Sequence, residues 1–455
     1  MSQKVSMDND TKRRQLDTGS RAVDKISNLS VNLKYLILER LPLHDAARTA
    51  VLSKSWRNVW ETHPVLVFDD VFFSRMVSGI DEQAQVSNVS RTISNILLLH
   101  DGSVSRFHLS VPLEFPLHKC LDADLWIKRI SKSGIRILKL INITPVPYTM
   151  PSYLFSCLEL TNLTLDNCIL NPPQRFGGFR NLIKVKLSHV RITADMSFGS
   201  RLERMFLNLC TGIKHLGCQF NYQNNLIRDL VIFSRERIDW RWFGTTKKVH
   251  FLGLLLAGSS NSRKDISDLA KLLGNMPNIE DLLLDNFFLR FLELGASLSN
   301  RLPTTLVNLK TLLVSFGGDW DWVFIHRVLC LIRSSPKLKI LRIWPEIGLS
   351  RMHGTDSVAA SRAEQYMLSP DFVNTILDEL ETVHLKEVKG SGCELHFIKL
   401  LLASSPSLRW MKISKSDSIG GPKEELRILG EVARLPRASA TAELIWTSAG
   451  SQDDW

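Results

Sequence analysis

The sequence predicts an α/β chain, in which a small module of three short helices precedes an irregular array of repeats built on a curved parallel sheet. Two observations support this fold class. Residues 24–68 contain three apolar patterns of helical period, separated by capping and turn residues. The rest of the chain repeats one short apolar motif. No single copy of that motif can bury its own apolar face, so the copies must stack into one sheet.

Length, charge and composition limit the possible functions. The chain has 455 residues, 44% of them hydrophobic, and a net charge of +11. Such a chain is long and apolar enough for two or three domains or one elongated array. Residues 1–20 are polar, and we expect them to form a disordered tail, with a second tail at 446–455. The positive charge is dispersed, which favours acidic partners in general and disfavours nucleic acid.

The cysteines and the apolar runs indicate where the protein resides. Seven cysteines lie at irregular separations without a CxxC pair, which is typical of buried thiols in a reducing compartment. The N-terminus lacks an apolar signal segment, and the apolar run at 251–257 is much shorter than the about 20 residues that span a bilayer. We therefore expect an intracellular protein, in the nucleus, the cytoplasm or both, with no membrane partner.

The first predicted helix has one apolar face and a clear end. Its apolar residues recur at the spacing of a single helix face: Leu33, Leu36, Ile37 and Leu41. The pattern stops at Leu41-Pro42, because proline has no backbone N–H to continue the helix.

The second and third helices are predicted from their N-caps. Asp45 is the expected N-cap of a helix over 46–52, and Ser53 that of a helix containing Trp56 and Trp60. About 45 residues bury only about 60% of their unfolded surface, so this unit is marginal alone. It also carries more large apolar side chains than three short helices can hide. We expect the surplus to be covered by the rest of the chain or by another protein.

The repeated motif is apolar-x-x-apolar-x-apolar, with the last two apolar positions on one short strand. These positions should point inward, while the x positions between them face solvent. The eleven copies are Val104/Phe107/Leu109, Ile135/Leu138/Leu140, Leu160/Leu163/Leu165, Leu182/Val185/Leu187, Leu202/Met205/Leu207, Ile227/Leu230/Ile232, Ile279/Leu282/Leu284, Leu309/Leu312/Val314, Leu338/Leu341/Ile343, Leu380/Val383/Leu385 and Leu408/Met411/Ile413. The motif and its spacing are those of leucine-rich repeats, although some copies are farther apart than usual.

Other segments fill the space between copies. A degenerate twelfth copy is predicted at Val249/Phe251, and helical fillers at 125–130, 266–273, 323–332 and 395–402. Because the fillers differ in length, we expect an irregular horseshoe, with a polar loop at 348–369.

The x positions of the motif are the candidate target-binding residues. Several are basic or aromatic: Lys139, Lys184, Lys186, Arg204, Arg342, Trp410 and Lys412. They could form a concave, partly basic surface that holds a ligand, since horseshoe proteins commonly bind there. They could also be ordinary solubilising charge. Two tryptophan clusters, at 240–242 and 319–322, are either exposed anchors or buried plugs of loops.

The helical module resembles the F-box, which docks substrate receptors onto the Skp-type adaptor of cullin ubiquitin ligases. The resemblance covers residues 24–68, and its strongest parts are Leu41-Pro42-Leu43, Asp45-Ala46, Val51-Leu52-Ser53, Trp56-Arg57 and Trp60. This chain has Leu29-Ser30 where the family usually has Leu-Pro. The resemblance implies adaptor binding, for which the candidate residues are Leu29, Leu36, Leu41, Pro42, Leu43, Val51, Trp56 and Trp60. Some of these must form the core of the module, and sequence does not sort them.

The last quarter of the chain resembles the FBD region of plant F-box proteins with leucine-rich repeats. The matching residues include Glu394-Leu395, Leu408, Met411 and Arg437-Ala438-Ser439. A helix near 424–432 is expected to cover the open end of the array. The resulting division is an F-box at 21–68, a leucine-rich-repeat array at 69–371 and an FBD-like repeat and cap at 372–445.

These resemblances imply a non-catalytic receptor. The expected function is the substrate-recognition subunit of an SCF-type ubiquitin ligase, bound to the adaptor and through it to a cullin, with an unknown target protein on the array. The alternative is a repeat-based scaffold or ligand receptor that does not promote ubiquitin transfer. The sequence contains no phosphate-binding glycine loop, zinc-ligand spacing or hydrolase signature, so we predict no catalytic residue, cofactor or metal.

Overall fold

The computed structural model of the protein describes residues 25–76, 82–220, 226–236, 246–256, 269–290, 301–317, 320–345 and 376–448, together with 361, 363–365, 367 and 368. The expected tail at 1–20, the tryptophan cluster at 240–242 and most of the polar loop predicted at 348–369 lie outside these residues.

Three helices open the described chain, and the strands that follow are separated by helices at some places only. The helices are α1 Val31–Glu39, α2 Leu43–Arg48, α3 Lys54–Glu61, α4 Asp70–Met76, α5 Glu82–Leu99, α6 Ala123–Ser131, α7 Gly217–Phe220, α8 Leu269–Gly274, α9 Asn286–Arg290, α10 Trp322–Arg333, α11 Gly392–Ser404 and α12 Pro422–Ala433. The strands are β1 Val65–Phe68, β2 Arg106–Val111, β3 Ile137–Asn142, β4 Tyr148–Thr149, β5 Asn162–Asp166, β6 Cys168–Leu170, β7 Lys184–Ser188, β8 Arg191–Ile192, β9 Arg204–Cys210, β10 Asp229–Ser234, β11 Phe251–Leu256, β12 Asp281–Asp285, β13 Thr311–Phe316, β14 Ile340–Pro345, β15 Thr382–Val388, β16 Trp410–Lys415 and β17 Glu443–Thr447.

One parallel sheet runs from Val65 to Thr447. Its 14 described strands follow one another in chain order, β1-β2-β3-β5-β7-β9-β10-β11-β12-β13-β14-β15-β16-β17, and each neighbouring pair is parallel. Strands β4, β6 and β8 form a second, three-stranded sheet. A strand that pairs with the next one along the chain, with a crossover between them, is the arrangement of a solenoid. The predicted α/β fold class is therefore confirmed.

The motif positions form the core of this solenoid. All three apolar residues of each of the eleven copies are buried. The twelfth copy is complete, and its predicted register was wrong. Leu252 pairs with Leu230, and Leu254 with Ile232, so the copy is Val249/Leu252/Leu254. Phe251 instead lies on the opposite face of the strand, because side chains alternate along it.

The helical module is joined directly to the sheet. Strand β1 follows α3 after three residues and pairs with β2 as the first strand of the large sheet. The backbone amide of Asp101, after α5, donates to the carbonyl of Glu61 at the end of α3 (2.9 Å). Gly102 packs so closely here that a Cβ would lie 2.7 Å from the Cα of Thr62. The module is thus held against the array by backbone contacts.

The C-terminal part continues the same sheet. Helix α11 begins with a capping box, in which Ser391 and Glu394 each accept from the other's backbone N–H. Gly390 has a φ of +79°, and a Cβ there would lie 2.4 Å from Ile428 of α12. Helix α12 connects β16 to β17, so the last described strand, and not the helix as predicted, ends the sheet.

Candidate interaction surfaces

The three helices of the N-terminal module share a small core of their own. It consists of Leu38 from α1, Ala46 from α2, and Trp56 and Val59 from α3. Trp56 is only 2% exposed. Its assignment to the adaptor-binding surface is therefore corrected: the indole fills the space between the helices and is not available to a partner.

Lys34 completes this core from α1. Its ammonium group donates to the carbonyl of Ser27 (2.7 Å) and to the hydroxyl of Ser55 (2.5 Å). It also lies 5.6 Å from the ring centroid of Trp56, a cation–π distance. A buried charge is tolerated only when it is hydrogen-bonded in this way. The lysine therefore ties the start of the module to α3.

Two further predicted adaptor residues connect the module to the array. Leu43, 7% exposed, belongs to the core that continues through the array, beside Leu66 and Phe68 of β1. Trp60 is partly buried and packs against both cores. Leu43 is thus corrected from an interface residue to a core residue, because α2 packs onto β1.

The remaining apolar residues of the module face outward. The predicted face of α1 exists but points away from the module's core, and Leu36 is 58% exposed. Val51, 81% exposed, and its neighbour Leu52 project from the turn between α2 and α3. Leu29, Pro42 and Trp60 are partly buried. We call the exposed set the module's apolar surface; its members are Leu33, Leu36, Ile37, Leu41, Val51 and Leu52.

Local capping explains how these side chains are positioned. Ser53 is the N-cap of α3, as predicted, and its hydroxyl accepts from the amide of Trp56 (3.3 Å). Asp45 is not an N-cap, since α2 begins earlier, at Leu43. Asp45 instead forms a two-fold contact with Arg75 of α4, with both N–O distances 3.2 Å. Hydrogen bonding to this guanidinium lowers the pKa of the carboxyl.

The seven candidate target-binding residues lie on one face of the sheet. Lys139, Lys186, Arg342 and Lys412 occupy equivalent positions in the register of their strands. We call this line of residues the central row. Lys184, Arg204 and Trp410 lie two residues earlier on their strands, in a parallel line that we call the first row. Residues two apart share a face of a strand, so both rows belong to the face opposite the buried motif residues.

Several basic groups on this face have partners. Arg204 lies 3.4 Å from the carboxylate of Asp229 on the next strand. The ammonium of Lys184 lies 5.6 Å from the ring centroid of Phe206. His108 precedes Lys139 in the central row, and burial, followed by the charge of Lys139, lowers the pKa of its imidazole. The N-terminal part of the face is therefore cationic, with a neutral histidine at neutral pH.

The middle of the same face is apolar, which the sequence analysis missed. From β9 to β13 the central row reads Phe206, Val231, Gly253, Leu283 and Leu313. The sequence contains a signal for this strip, since these residues occupy x positions of the repeat and are apolar where solvent-facing positions are usually polar. Phe251 of the first row and Phe233 and Leu255, two residues after the central row, widen this strip. Apart from Gly253, which is buried, these residues are all half-buried.

The tryptophan cluster at 320–322 is largely a structural plug. Trp320 is buried against Phe316, Phe324 and Phe397, with ring centroids 5.4–5.8 Å away. Asp321 caps α10, accepting from the amide of Phe324 (2.6 Å). Trp320 is therefore a buried plug of its loop and not an exposed anchor.

The described cysteines have no features of a nucleophile. Six of them, Cys120, Cys157, Cys168, Cys210, Cys330 and Cys393, are buried and form no disulfide. Burial raises the pKa of Cys157 to about 12 and of Cys330 to about 11. A ubiquitin ligase that forms a thioester with ubiquitin needs a cysteine thiolate, and burial disfavours the thiolate form of these six side chains. Within the described ranges, no helix is long and apolar enough to cross a bilayer.

Two parts of the chain match known protein domains. Residues 26–68 match the F-box domain, and residues 96–231 match a family described as At1g61320/AtMIF1, LRR domain. The F-box/FBD/LRR-repeat protein At1g13570 of Arabidopsis thaliana is 30% identical over 453 residues, covering 93% of this chain and 98% of the relative. The chain belongs to the F-box/FBD/LRR-repeat family.

Two further proteins are similar to this chain. The FBD-associated F-box protein At5g56370 of Arabidopsis thaliana is 25% identical over 460 residues, covering 93% of this chain and all of the relative. A leucine-rich-repeat protein of Leptospira interrogans, LIC12759, has a solved structure that covers 77% of this chain and 85% of its own, with 13% identity and a TM-score of 0.27.

Membership implies a general role for the protein. An F-box combined with leucine-rich repeats implies binding of a Skp-type adaptor and of proteins, as in subunits of SCF complexes. The members of this family are generally non-catalytic receptors. The module's apolar surface is then on the F-box, and the two rows of the sheet are on the repeats.

Proposed function

We propose that this F-box/FBD/LRR-repeat protein is the substrate-recognition subunit of an SCF-type ubiquitin ligase. Its F-box binds the Skp-type adaptor, and through it a cullin, while the repeat array holds a target protein. The chain makes no bonds itself. It holds the target close to the ubiquitin-loaded enzyme, which raises the effective concentration of one relative to the other.

The single observation that supports this proposal is the module's apolar surface. The core of the F-box is already filled by Trp56, Val59, Leu38 and Ala46, yet Leu36 and Val51 remain exposed. Exposed apolar groups in such number on a small unit are typical of a protein-binding surface. We assign adaptor binding to this surface, with Leu29, Pro42 and Trp60 at its partly buried margin.

Adaptor binding is tested by adding charge to the surface while leaving the core intact. The double variant Leu36→Asp with Val51→Asp places two carboxylates in the proposed interface, and we expect co-purification with the Skp-type adaptor to fall by at least about tenfold, since each charge would have to be desolvated. The matched control is Leu121→Asp with Leu125→Asp, because these leucines are also exposed but lie outside the F-box, just before α6 and on α6. Equal adaptor recovery from both double variants would refute the assigned interface.

Ubiquitin transfer is tested by affinity capture of the full chain under proteasome inhibition. The proposal expects the adaptor, a cullin and a ubiquitinated target together. It also expects the cullin to disappear with the adaptor in the Leu36→Asp, Val51→Asp variant. Recovery of the adaptor without a cullin would instead favour the scaffold function.

A further inference from the structure

An apolar strip lies in the middle of the exposed sheet face, with cationic side chains beyond both of its ends. Its composition and length indicate the kind of target that the array would bind. The strip is defined by Phe206, Val231, Leu283 and Leu313 of the central row, with Phe233, Phe251 and Leu255 beside them. On most sheets that face solvent, such positions are polar. Here they are apolar on five consecutive strands.

The strip is packed tightly at its centre. Gly253 lies in the central row between Val231 and Leu283, and a Cβ there would be 3.1 Å from both methyl groups of Val231 and 3.4 Å from Leu283. The side chains of Val231 and Leu283 therefore occupy the space above Gly253, which is thus filled. An apolar surface that continues across five strands suits an extended chain better than a small molecule.

The ends of the strip are cationic. Lys184, Lys186 and Arg204 lie on β7 and β9 at one end, and Arg342 lies on β14 at the other. Lys412 continues the same row on β16. Lysine and arginine at both ends of an apolar strip complement a ligand that is acidic at both ends and apolar between them.

Two carboxylates lie on the first row beside the strip, and both are close to basic groups. Asp229 is paired with Arg204 at 3.4 Å. Asp281 lies close enough to Lys310 to help raise the pKa of that amine, although Glu280, whose carboxylate is 2.7 Å away, is the larger cause. The central row itself carries no carboxylate on the described strands β2 to β17.

The register sets the length of the ligand. Neighbouring strands are about 4.8 Å apart, so the four steps from β9 to β13 span about 19 Å and the six steps from β7 to β14 about 29 Å. An extended peptide rises about 3.3 Å per residue. The strip thus fits about six apolar residues, with acidic residues about nine positions apart at its two ends.

We infer that the array recognises an extended target segment with an apolar centre of about six residues and acidic residues at both ends, laid across the strands along the central row. The inference rests on the proposed function, because it names the class of target that the repeat array would hold. Apolar contact with the strip supplies the affinity, and the cationic ends fix the register.

The test measures binding of synthetic peptides to the full chain. The probe has about six apolar residues between two acidic pairs, and the comparison peptides carry lysine pairs at the ends or serines in the centre, a design that follows from the strand spacing. We expect the acidic-ended apolar peptide to bind at least about tenfold more tightly than either comparison peptide. Equal binding of the acidic-ended and lysine-ended peptides would overturn the inference.

Two variants locate the binding surface. Leu283→Asp is expected to weaken the probe by about tenfold or more, because it places a carboxylate in the strip opposite an apolar segment. The control Leu125→Asp, on the exposed side of α6, should leave the affinity unchanged. An unchanged affinity in Leu283→Asp would overturn the assignment to the strip.

A charge-reversal variant tests the inference independently, in case Leu283→Asp does not fold. Lys186→Glu with Arg342→Glu leaves the strip intact, and we expect it to prefer the lysine-ended peptide. Persistent preference for the acidic-ended peptide would also overturn the inference. Adaptor capture through Leu36 and Val51 is measured separately, so a peptide result against this inference does not decide whether the chain serves a ubiquitin ligase.

Discussion

Trp56 and Trp60 lie one helical turn apart on α3 and have different roles. Trp56 is enclosed by the F-box core together with Leu38 and Ala46. Trp60 contacts both this core and the core of the array. The sequence alone does not distinguish their roles, since both are large apolar residues on a helical face. Which one is enclosed depends on how α1 and β1 approach α3.

His63 is a residue-scale source of acid sensitivity. Burial, followed by the charges of His100 and Arg106, lowers the pKa of His63 from 6.5 to about 4. The folded state therefore binds fewer protons than the unfolded state between these values. We expect the free energy of unfolding to be unaffected above about pH 7 and to fall as the pH decreases from about 6.5 to about 4.

Equilibrium unfolding as a function of pH tests this expectation. Replacing His63 by phenylalanine removes the titrating group while keeping a ring against Tyr35, whose centroid is 5.5 Å away. The variant should lose less stability on acidification than the parent. Identical profiles for the parent and His63→Phe would contradict the prediction.

At the scale of elements, the joint between α3 and α5 decides how the F-box is oriented. The amides of Asp101 and Gly102 both approach the carbonyl of Glu61. Nε2 of His100 lies 2.7 Å from the carbonyl of His63, and Arg129 donates to the carbonyl of His100 (3.1 Å). The module's apolar surface is thereby held at a fixed orientation to the sheet face.

Gly102→Ala should weaken this joint. Its Cβ would lie 2.7 Å from the Cα and 2.8 Å from the carbonyl oxygen of Thr62, both backbone atoms that cannot turn aside. We expect a loss of about 1–3 kcal/mol in the free energy of unfolding, the usual range for overpacking. Chemical denaturation measures it, and Gly177→Ala is the control, since a Cβ at Gly177 meets nothing within 4 Å. An equal effect of both substitutions would show that the joint is not tightly packed.

At the scale of the whole molecule, the sheet begins inside the range predicted for the F-box. Strand β1 lies within 21–68, but Leu66 and Phe68 are fully buried in the core of the array. The strands β15 to β17 likewise continue the sheet without interruption, and β17 extends two residues into the range predicted as a tail, 446–455, because it pairs with β16. We propose that the F-box and the array meet at residues 62–64.

Two truncated arrays distinguish these boundaries. A fragment starting at Pro64 keeps β1 and should fold with a cooperative thermal transition. A fragment starting at Asp69 lacks β1 and leaves Phe107 and Leu109 of β2 at the uncovered edge of the core. We expect the second fragment to aggregate or to melt at a lower temperature, since an exposed apolar edge strand promotes association. Equal melting temperatures would show that β1 adds nothing to the array.

Periodicity determined most of the fold. Each motif copy, such as Leu163 with Leu165, places its side chains inward through the two-residue alternation of a strand, and that alternation is local. The family resemblance likewise depends on local strings such as Leu41-Pro42-Leu43. Where local signals were ambiguous the predicted register was wrong, as at Phe251, because the apolar run that begins at Phe251 fits two alternations.

The sequence by itself determined that this chain is an F-box followed by a leucine-rich-repeat solenoid, because helical and strand periods are properties of neighbouring residues. Only the tertiary structure decided that Trp56 and Leu43 are core while Leu36 and Val51 are exposed, and that Phe206 through Leu313 form one strip. Both depend on which distant segments pack together. Burial and cross-strand register are set by contacts between segments far apart in the chain, and a local pattern does not contain them.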